Sequence, residues 1–215
     1  MKVLAIEVSS QRRSVAVGCD GAAPVERAQS GGRAVDLFAL IESALSEGGL
    51  EREGIECIAV GIGPGSYTGL RGAIALAQGW ELARDVRLLG VSSAEVIAAE
   101  AAGMGIAGRV CVVIDAQRGE FYIATYELAE GGWKALDVLR LAGREAVLAE
   151  LSGGALVIGP EVGRWFPEGR EVIPGAATLC RMARNRTDFR PGQELEPIYL
   201  RETTFVKAPP SRIVD

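Results

Sequence analysis

Residues 3–18 read VLAIEVSSQRRSVAVG, and residues 110–127 read VCVVIDAQRGEFYIATYE. Each is an apolar run closed by an acid, then a polar turn carrying arginine, then a run in which apolar and polar residues alternate. Alternation at period two is the pattern of a strand buried on one side, and a polar turn between two such runs makes a hairpin. Glu7 and Asp115 hold corresponding places at the ends of the two leading strands. Outward from the first hairpin, 24–29 reads as a third short strand, and 33–47 places Leu37, Ile41, Ala44 and Leu45 at helical spacing until Gly48-Gly49 stops the run. The continuous apolar stretch 56–62 is short enough for a buried parallel strand; a helix at 68–83, a strand at 87–91 and a helix from the Ser92-Ser93 cap to Gly103 follow. Outward from the second hairpin come a strand at 133–139, a helix at 144–151, a strand at 155–158 and a helix at 176–186.

One hairpin-plus-βα unit written twice predicts two similar α/β lobes, 1–105 and a smaller 106–201, each a mixed sheet flanked by helices. This is the actin-like, ribonuclease H-like plan of the actin and sugar-kinase ATPases, and the repeat alone does not decide for it. KAPPSRIVD at 207–215 is extended and proline-containing, so 202–215 reads as a flexible tail.

Composition narrows the chemistry. With 215 residues, 48% hydrophobic and 24% charged, the chain has an ordinary globular make-up and needs no metal or disulfide staple. Cys19, Cys57, Cys111 and Cys180 are far apart and none forms a CxxC pair, which fits buried free thiols and a reducing compartment. No apolar stretch approaches the roughly 20 residues of a membrane span, and MKVLAIEV is too short for a signal peptide, so a soluble cytoplasmic protein without a membrane partner is expected. A net charge of −5 with dispersed Lys and Arg is poor electrostatics for gripping a nucleic-acid backbone unaided. Histidine is absent, which removes the commonest general base, Ser-His and Cys-His nucleophile pairs and the usual nitrogen ligand of zinc.

GIGPGSYTGLR, at 61–71, stands between an apolar strand and an alanine-rich helix. No GK[ST] follows the glycines, so it is not a Walker A loop. Two readings stay open. Gly63 and Gly65 would leave the amides of the following helix, capped by Ser66 or Thr68, pointing at an anion, with Glu7, Asp115 and Arg118 around a nucleotide; or the glycines only let strand and helix pack closely. Glu7 and Asp115 would flank a metal-bound nucleotide between the lobes, or be solvated turn acids. Arg118 would meet a phosphate or a partner carboxylate, or stay in solvent. The helix itself has two apolar faces. Leu70, Ala73, Ile74 and Ala77 form the stripe expected against the sheet; Gly72, Ala75, Leu76, Gly79 and Ala83 form a second, of small residues, that a large core would bury or a partner helix would approach closely.

The loop GPGSYTGLR, the opening VLAIEVSS, the segment GVSSAEVIA, the hairpin IDAQRGEFY and the late EPIYLR occur in the order that makes the chain resemble the TsaB (YeaZ) family, over nearly its whole length. The resemblance implies an actin-like fold with a degenerate nucleotide site and no catalytic residues of its own. It implies work in a complex with the catalytic subunit TsaD, which transfers a threonylcarbamoyl group to the tRNA adenosine next to the anticodon, joined by the ATPase TsaE. The chain itself then has no cofactor and no metal, and ATP or ADP belongs at a site shared with partners. Contact with tRNA runs only through the complex, and a homodimer is an alternative in isolation. With the resemblance, the small-residue face becomes the expected partner interface: Arg71, Gly72, Ala75, Leu76, Gly79 and Ala83, extended by Phe38 and Leu45 of the preceding helix.

Three departures from the family pattern matter. Many members read Asp-Thr-Ser where this chain has Glu7-Val8-Ser9, many carry His-Ser where it has Gly32-Arg33, and the HxxxH of the catalytic subunit cannot exist without histidine. Two function classes follow: a non-catalytic scaffold and activator of tRNA modification, or a stand-alone actin-like ATP-dependent phosphotransferase or hydrolase.

Overall fold

The computed structural model describes residues 1–31 and 36–200. The expected tail at 202–215, Arg201 of EPIYLR, the Gly32-Arg33 pair and the beginning of the helix expected from residue 33 lie outside them.

The first lobe is built from β1 (Val3–Glu7), β2 (Arg12–Gly18), β3 (Val25–Ser30), α1 (Leu37–Gly48), β4 (Cys57–Gly61), α2 (Tyr67–Ala83) and β5 (Arg87–Val91). Its sheet runs β3-β2-β1-β4-β5, antiparallel across β3, β2 and β1 and parallel across β1, β4 and β5. After α3 (Ser93–Gly103) the plan recurs in β6 (Gly108–Asp115), β7 (Glu120–Ala129), β8 (Gly132–Ala135), β9 (Arg140–Gly143), α4 (Arg144–Ser152), β10 (Leu156–Gly159), β11 (Arg170–Glu171) and α5 (Ala176–Ala183). The second sheet runs β8-β7-β6-β10-β11, with β9 also on β7, in the same order and the same strand directions. The chain therefore has the two-lobed, actin-like, ribonuclease H-like fold. Glu7 and Asp115 end the corresponding strands β1 and β6, as the repeat predicts.

Period-two burial assigns each strand face to a helical layer. Leu4, Ile6 and Val8 point toward α1 and α2; Val3 and Ala5 point toward α5. In the second sheet Val110, Val112 and Ile114 face α3, while Cys111 and Val113 face Val147 of α4 and Phe166. The layers are thus α1 and α2, first sheet, α3 and α5, second sheet, α4. The middle layer crosses between the strand sets: α3, from the first half of the chain, packs on β6 and β7, and α5, from the second half, packs on β1 and β2. Residues 190–198 then return to the first lobe, where Arg190 N–H donates to Leu88 and Ile198 N–H to Ile62, at 3.0 and 2.9 Å.

Some boundaries differ from expectation. The strand expected at 133–139 ends at Ala135, because the amides of Leu136 and Asp137 both turn onto the Thr125 carbonyl and interrupt the ladder, and β9, which the pattern did not predict, begins only at Arg140. The last helix stops at Ala183 rather than 186, where the amides of Asn185 and Arg186 fall back to three-residue turns. Leu45, expected to extend an exposed apolar area, is 4% exposed and belongs to the core between α1 and the first sheet.

Candidate functional site

The glycine loop wraps the end of β1. Val8 and Ser9 present backbone carbonyls there and Glu7 its carboxyl group, and each is met by a residue without a side chain. A Cβ at Gly65 would overlap the Ser9 carbonyl, one at Gly69 would lie 2.7 Å from the Val8 carbonyl, and one at Gly61 would overlap the Glu7 carboxyl. Gly63 takes φ +90° and precedes Pro64 through a cis peptide bond. Ser66 caps α2: its hydroxyl accepts from Gly69 N–H at 3.4 Å, and its own N–H donates to Ser9 at 2.7 Å. Close packing, the plainer of the two readings, therefore accounts for Gly61, Gly65 and Gly69.

Glu7 is fully buried under this loop. One carboxyl oxygen accepts from Ser9 N–H at 2.8 Å and the other from the Ser93 hydroxyl at 3.0 Å. Burial raises its pKa above the usual 4.5, the hydrogen bonds from Ser9 and Ser93 opposing the rise. A carboxyl whose folded pKa exceeds its unfolded one stabilises the fold fully below the unfolded pKa, and that contribution is lost as pH rises through the folded pKa. Glu7→Gln, an uncharged isostere, removes the dependence. The Tm advantage of Glu7→Gln over wild type should accordingly widen from pH 4.5 to pH 8; an advantage that stays constant or shrinks would contradict the assignment.

Between the lobes lies a cleft of about 560 Å³, lined on one side by Ser10, Arg13, Gly65, Ser66 and Thr68 and on the other by Asp115, Gln117 and Glu161. It brings together Gly65, Ser66, Thr68 and Asp115 of the expected site. It does not include Glu7, and this corrects the expectation that Glu7 and Asp115 flank a metal-bound nucleotide: the longer Glu side chain turns across Gly61 onto Ser93 and leaves the cleft. Gly63 is likewise buried behind the loop, and Arg118 is exposed in the hairpin turn, outside the lining. Asp115 accepts from Gln117 N–H at 2.7 Å. Among the described residues no three His, Cys, Asp or Glu side chains come together as a metal site. The residues present do not fit a metal-bound nucleotide held in the manner of an actin-like ATPase, because the acid at the end of β1 is sealed away.

The outward face of α2 is open. Gly72, Ala75, Gly79 and Ala83 are exposed and Leu76 half-buried, and none of the described residues lies within 4 Å of a Cβ built at Gly72 or Gly79. The opposite stripe, Leu70, Ala73, Ile74 and Ala77, is buried as its spacing predicts. Phe38 of α1 is 71% exposed and Leu82 of α2 88%, a large apolar allowance for water. The sequence reading missed Leu82, although it falls three residues after Gly79 and seven after Ala75 on the same face. It also missed Tyr67 and Tyr199, whose rings stack at 5.4 Å beside the exposed first turn of α2, with the Arg71 guanidinium donating to the Tyr67 hydroxyl at 2.6 Å. The Tyr67–Tyr199 pairing depends on the return of the chain to the first lobe, which has no local sequence signal.

The family model of TsaD, tRNA N6-adenosine threonylcarbamoyltransferase, matches residues 2–138. The Escherichia coli K12 protein described as tRNA threonylcarbamoyladenosine biosynthesis protein TsaB is 29% identical, across 99% of this chain and 100% of its own. A Bacillus subtilis protein of the same description is 33% identical over 42% of this chain and 39% of its own. YeaZ from Pseudomonas aeruginosa superposes with a TM-score of 0.79 at 27% identity, covering 93% of this chain and 99% of that one. A second Pseudomonas aeruginosa structure, described as an uncharacterized protein with similarity to peptidase YeaZ, has the same TM-score and coverage at 26% identity.

Proposed function

The chain belongs to the TsaB/YeaZ family, within the wider threonylcarbamoyltransferase family whose model it matches, and from that premise we propose that it is a non-catalytic subunit of tRNA threonylcarbamoyladenosine biosynthesis that acts by docking on the catalytic subunit TsaD. The observation that carries this reading is the open small-residue face of α2, with Phe38 and Leu82 at its margins. Each glycine inside a helix costs about 1 kcal/mol relative to alanine, so Gly72 and Gly79 weaken α2 unless a close-packed partner offsets them. A partner helix seated there would favour the conformation of the catalytic subunit that it binds more tightly, and an affinity difference of a few kcal/mol between two states is enough to switch their populations. Chemistry and tRNA contact then belong to the partner. The present chain has no histidine, a net charge of −5 and a first-strand acid withdrawn from the cleft. In this reading TsaE joins the assembly, and any ATP or ADP sits at a site completed by a partner.

The interlobe cleft favours a second reading, a stand-alone actin-like ATP-dependent phosphotransferase or hydrolase. ATP turnover by the purified chain, measured alone and with the catalytic subunit, separates the two. The expected result is no turnover above the buffer rate by the chain alone; turnover alone that is abolished by Asp115→Asn would establish the second reading.

A further inference from the structure

The most elaborate arrangement left without a role is the buried carboxyl of Glu7, and it acts on the glycine loop from two directions. Through one oxygen it holds Ser9 N–H, and the carbonyl of Ser9 holds Ser66 N–H, the cap of α2. Through the other it holds the Ser93 hydroxyl, whose oxygen also accepts from Gly63 N–H at 3.2 Å while Ser93 N–H donates to the Gly63 carbonyl at 2.8 Å. The two arms reach the loop at residues 63 and 66 and bracket Pro64 and Gly65 between them. Gly61 makes room for the carboxyl to lie flat against the strand. Among the described residues it meets Ser9 of the β1–β2 turn, Gly61 at the end of β4 and Ser93 in the first turn of α3. The side-chain groups it touches are the hydroxyls of Ser9 and Ser93, and no charged group acts on it among the described residues.

We infer that Glu7 is a positioning residue: with Ser93 it pins the glycine loop, and so sets where the first turn of α2, with Tyr67 and Arg71, is presented to a partner. The inference deepens the proposed docking role and rests on it. An acid at the place where a relative of actin would use one for catalysis serves here to fix the shape of a docking surface. The pin works by shape and hydrogen bonding rather than by charge. A glutamine at position 7 keeps both arms, its amide oxygen accepting from Ser9 N–H and its NH₂ donating to the Ser93 oxygen, which still accepts from Gly63. Removing the Ser93 hydroxyl cuts one arm, taking its partner from Gly63 N–H and one hydrogen bond from the buried carboxyl.

The test uses the full chain with Glu7→Gln and Ser93→Ala, read by amide hydrogen exchange in the free protein and by affinity for the catalytic subunit. Ser93→Ala should speed exchange at Gly63 and Ser66 by about tenfold or more while leaving the amides of β1 and β4 unchanged. It should also weaken partner binding by roughly tenfold; Glu7→Gln should stay within about threefold of wild type in both readouts. If Ser93→Ala does not fold, Glu7→Asp, one methylene short of Ser93, should reproduce its faster exchange at Gly63. Wild-type exchange at Gly63 and Ser66 in both Ser93→Ala and Glu7→Asp would overturn the pin, as would Glu7→Gln behaving like Ser93→Ala. A wild-type chain that does not bind the catalytic subunit would instead sink the docking role, and the exchange readout would still decide whether the loop is pinned.

Discussion

Gly79→Leu is expected to leave the fold at least as stable as wild type and to abolish association through α2. Position 79 is exposed about one turn before the end of a 17-residue helix, with open space around it among the described residues, so leucine replaces the second-worst helix former by one of the best and gains about 0.8 kcal/mol. The same side chain stands up from a face whose remaining members are Gly72, Ala75 and Ala83. A helix that approached this face closely enough to pack on glycine would have to withdraw by several ångströms, losing most of the contact. A loss of about 3 kcal/mol or more, over a hundredfold in affinity, is the expected scale. The isolated chain should show the effect too, since identical copies can meet through the same face across a two-fold axis. Sedimentation of Gly79→Leu at concentrations where wild type dimerises should give a monomer, and a dimer of unchanged affinity from a folded variant would remove α2 from the interface.

Gly65→Val should do the opposite, destroying the fold rather than the interface. Its Cβ would overlap the backbone carbonyl of Ser9, which is held in place by the Ser66 amide and cannot swing aside as a side-chain end would. The loop must open or β1 must move, and either breaks the Glu7 network beneath it. A cost on the order of 4 kcal/mol is expected, a large part of the 5–15 kcal/mol that holds a typical domain folded. Arg71→Ala is the control: its guanidinium is exposed and, among the described residues, meets the Tyr67 ring and hydroxyl and the neighbouring Tyr199, so its cost to stability should be within about 0.5 kcal/mol. Thermal melts of the two variants should differ by roughly 7–14 °C, and equal melts would show that Arg71 is structural or that the loop yields more easily than its contacts imply.

The fold was legible where local pattern and topology agree. The hairpins of β1–β2 and β6–β7, the buried parallel strands β4 and β10 and the two faces of α2 each carry their own period, and two copies of one unit pointed to two similar lobes. What local pattern cannot carry is which layer a helix joins. Nothing in the alanine-rich run of α3 says that it packs on the second sheet, or in α5 that it returns to the first, because both are apolar on more than one side. Leu45 shows the same limit on one residue, since helical spacing places it on an apolar stripe without saying what covers the stripe. At the site, the identity of the loop was readable and its inside was not. That Glu7 turns away from the cleft depends on one extra methylene, on the missing side chain of Gly61 and on Ser93, which lies 86 residues further along the chain.

The most direct test of a docking subunit without chemistry of its own is tRNA threonylcarbamoylation by the reconstituted catalytic subunit and its ATPase. It is measured with this chain present, omitted, or replaced by Gly79→Leu or Glu7→Gln. The account predicts modification with the wild-type chain and with Glu7→Gln, and its loss both on omission and with Gly79→Leu, although that variant is folded. Modification that persists without the chain, or that is lost with Glu7→Gln while the complex still assembles, would contradict it.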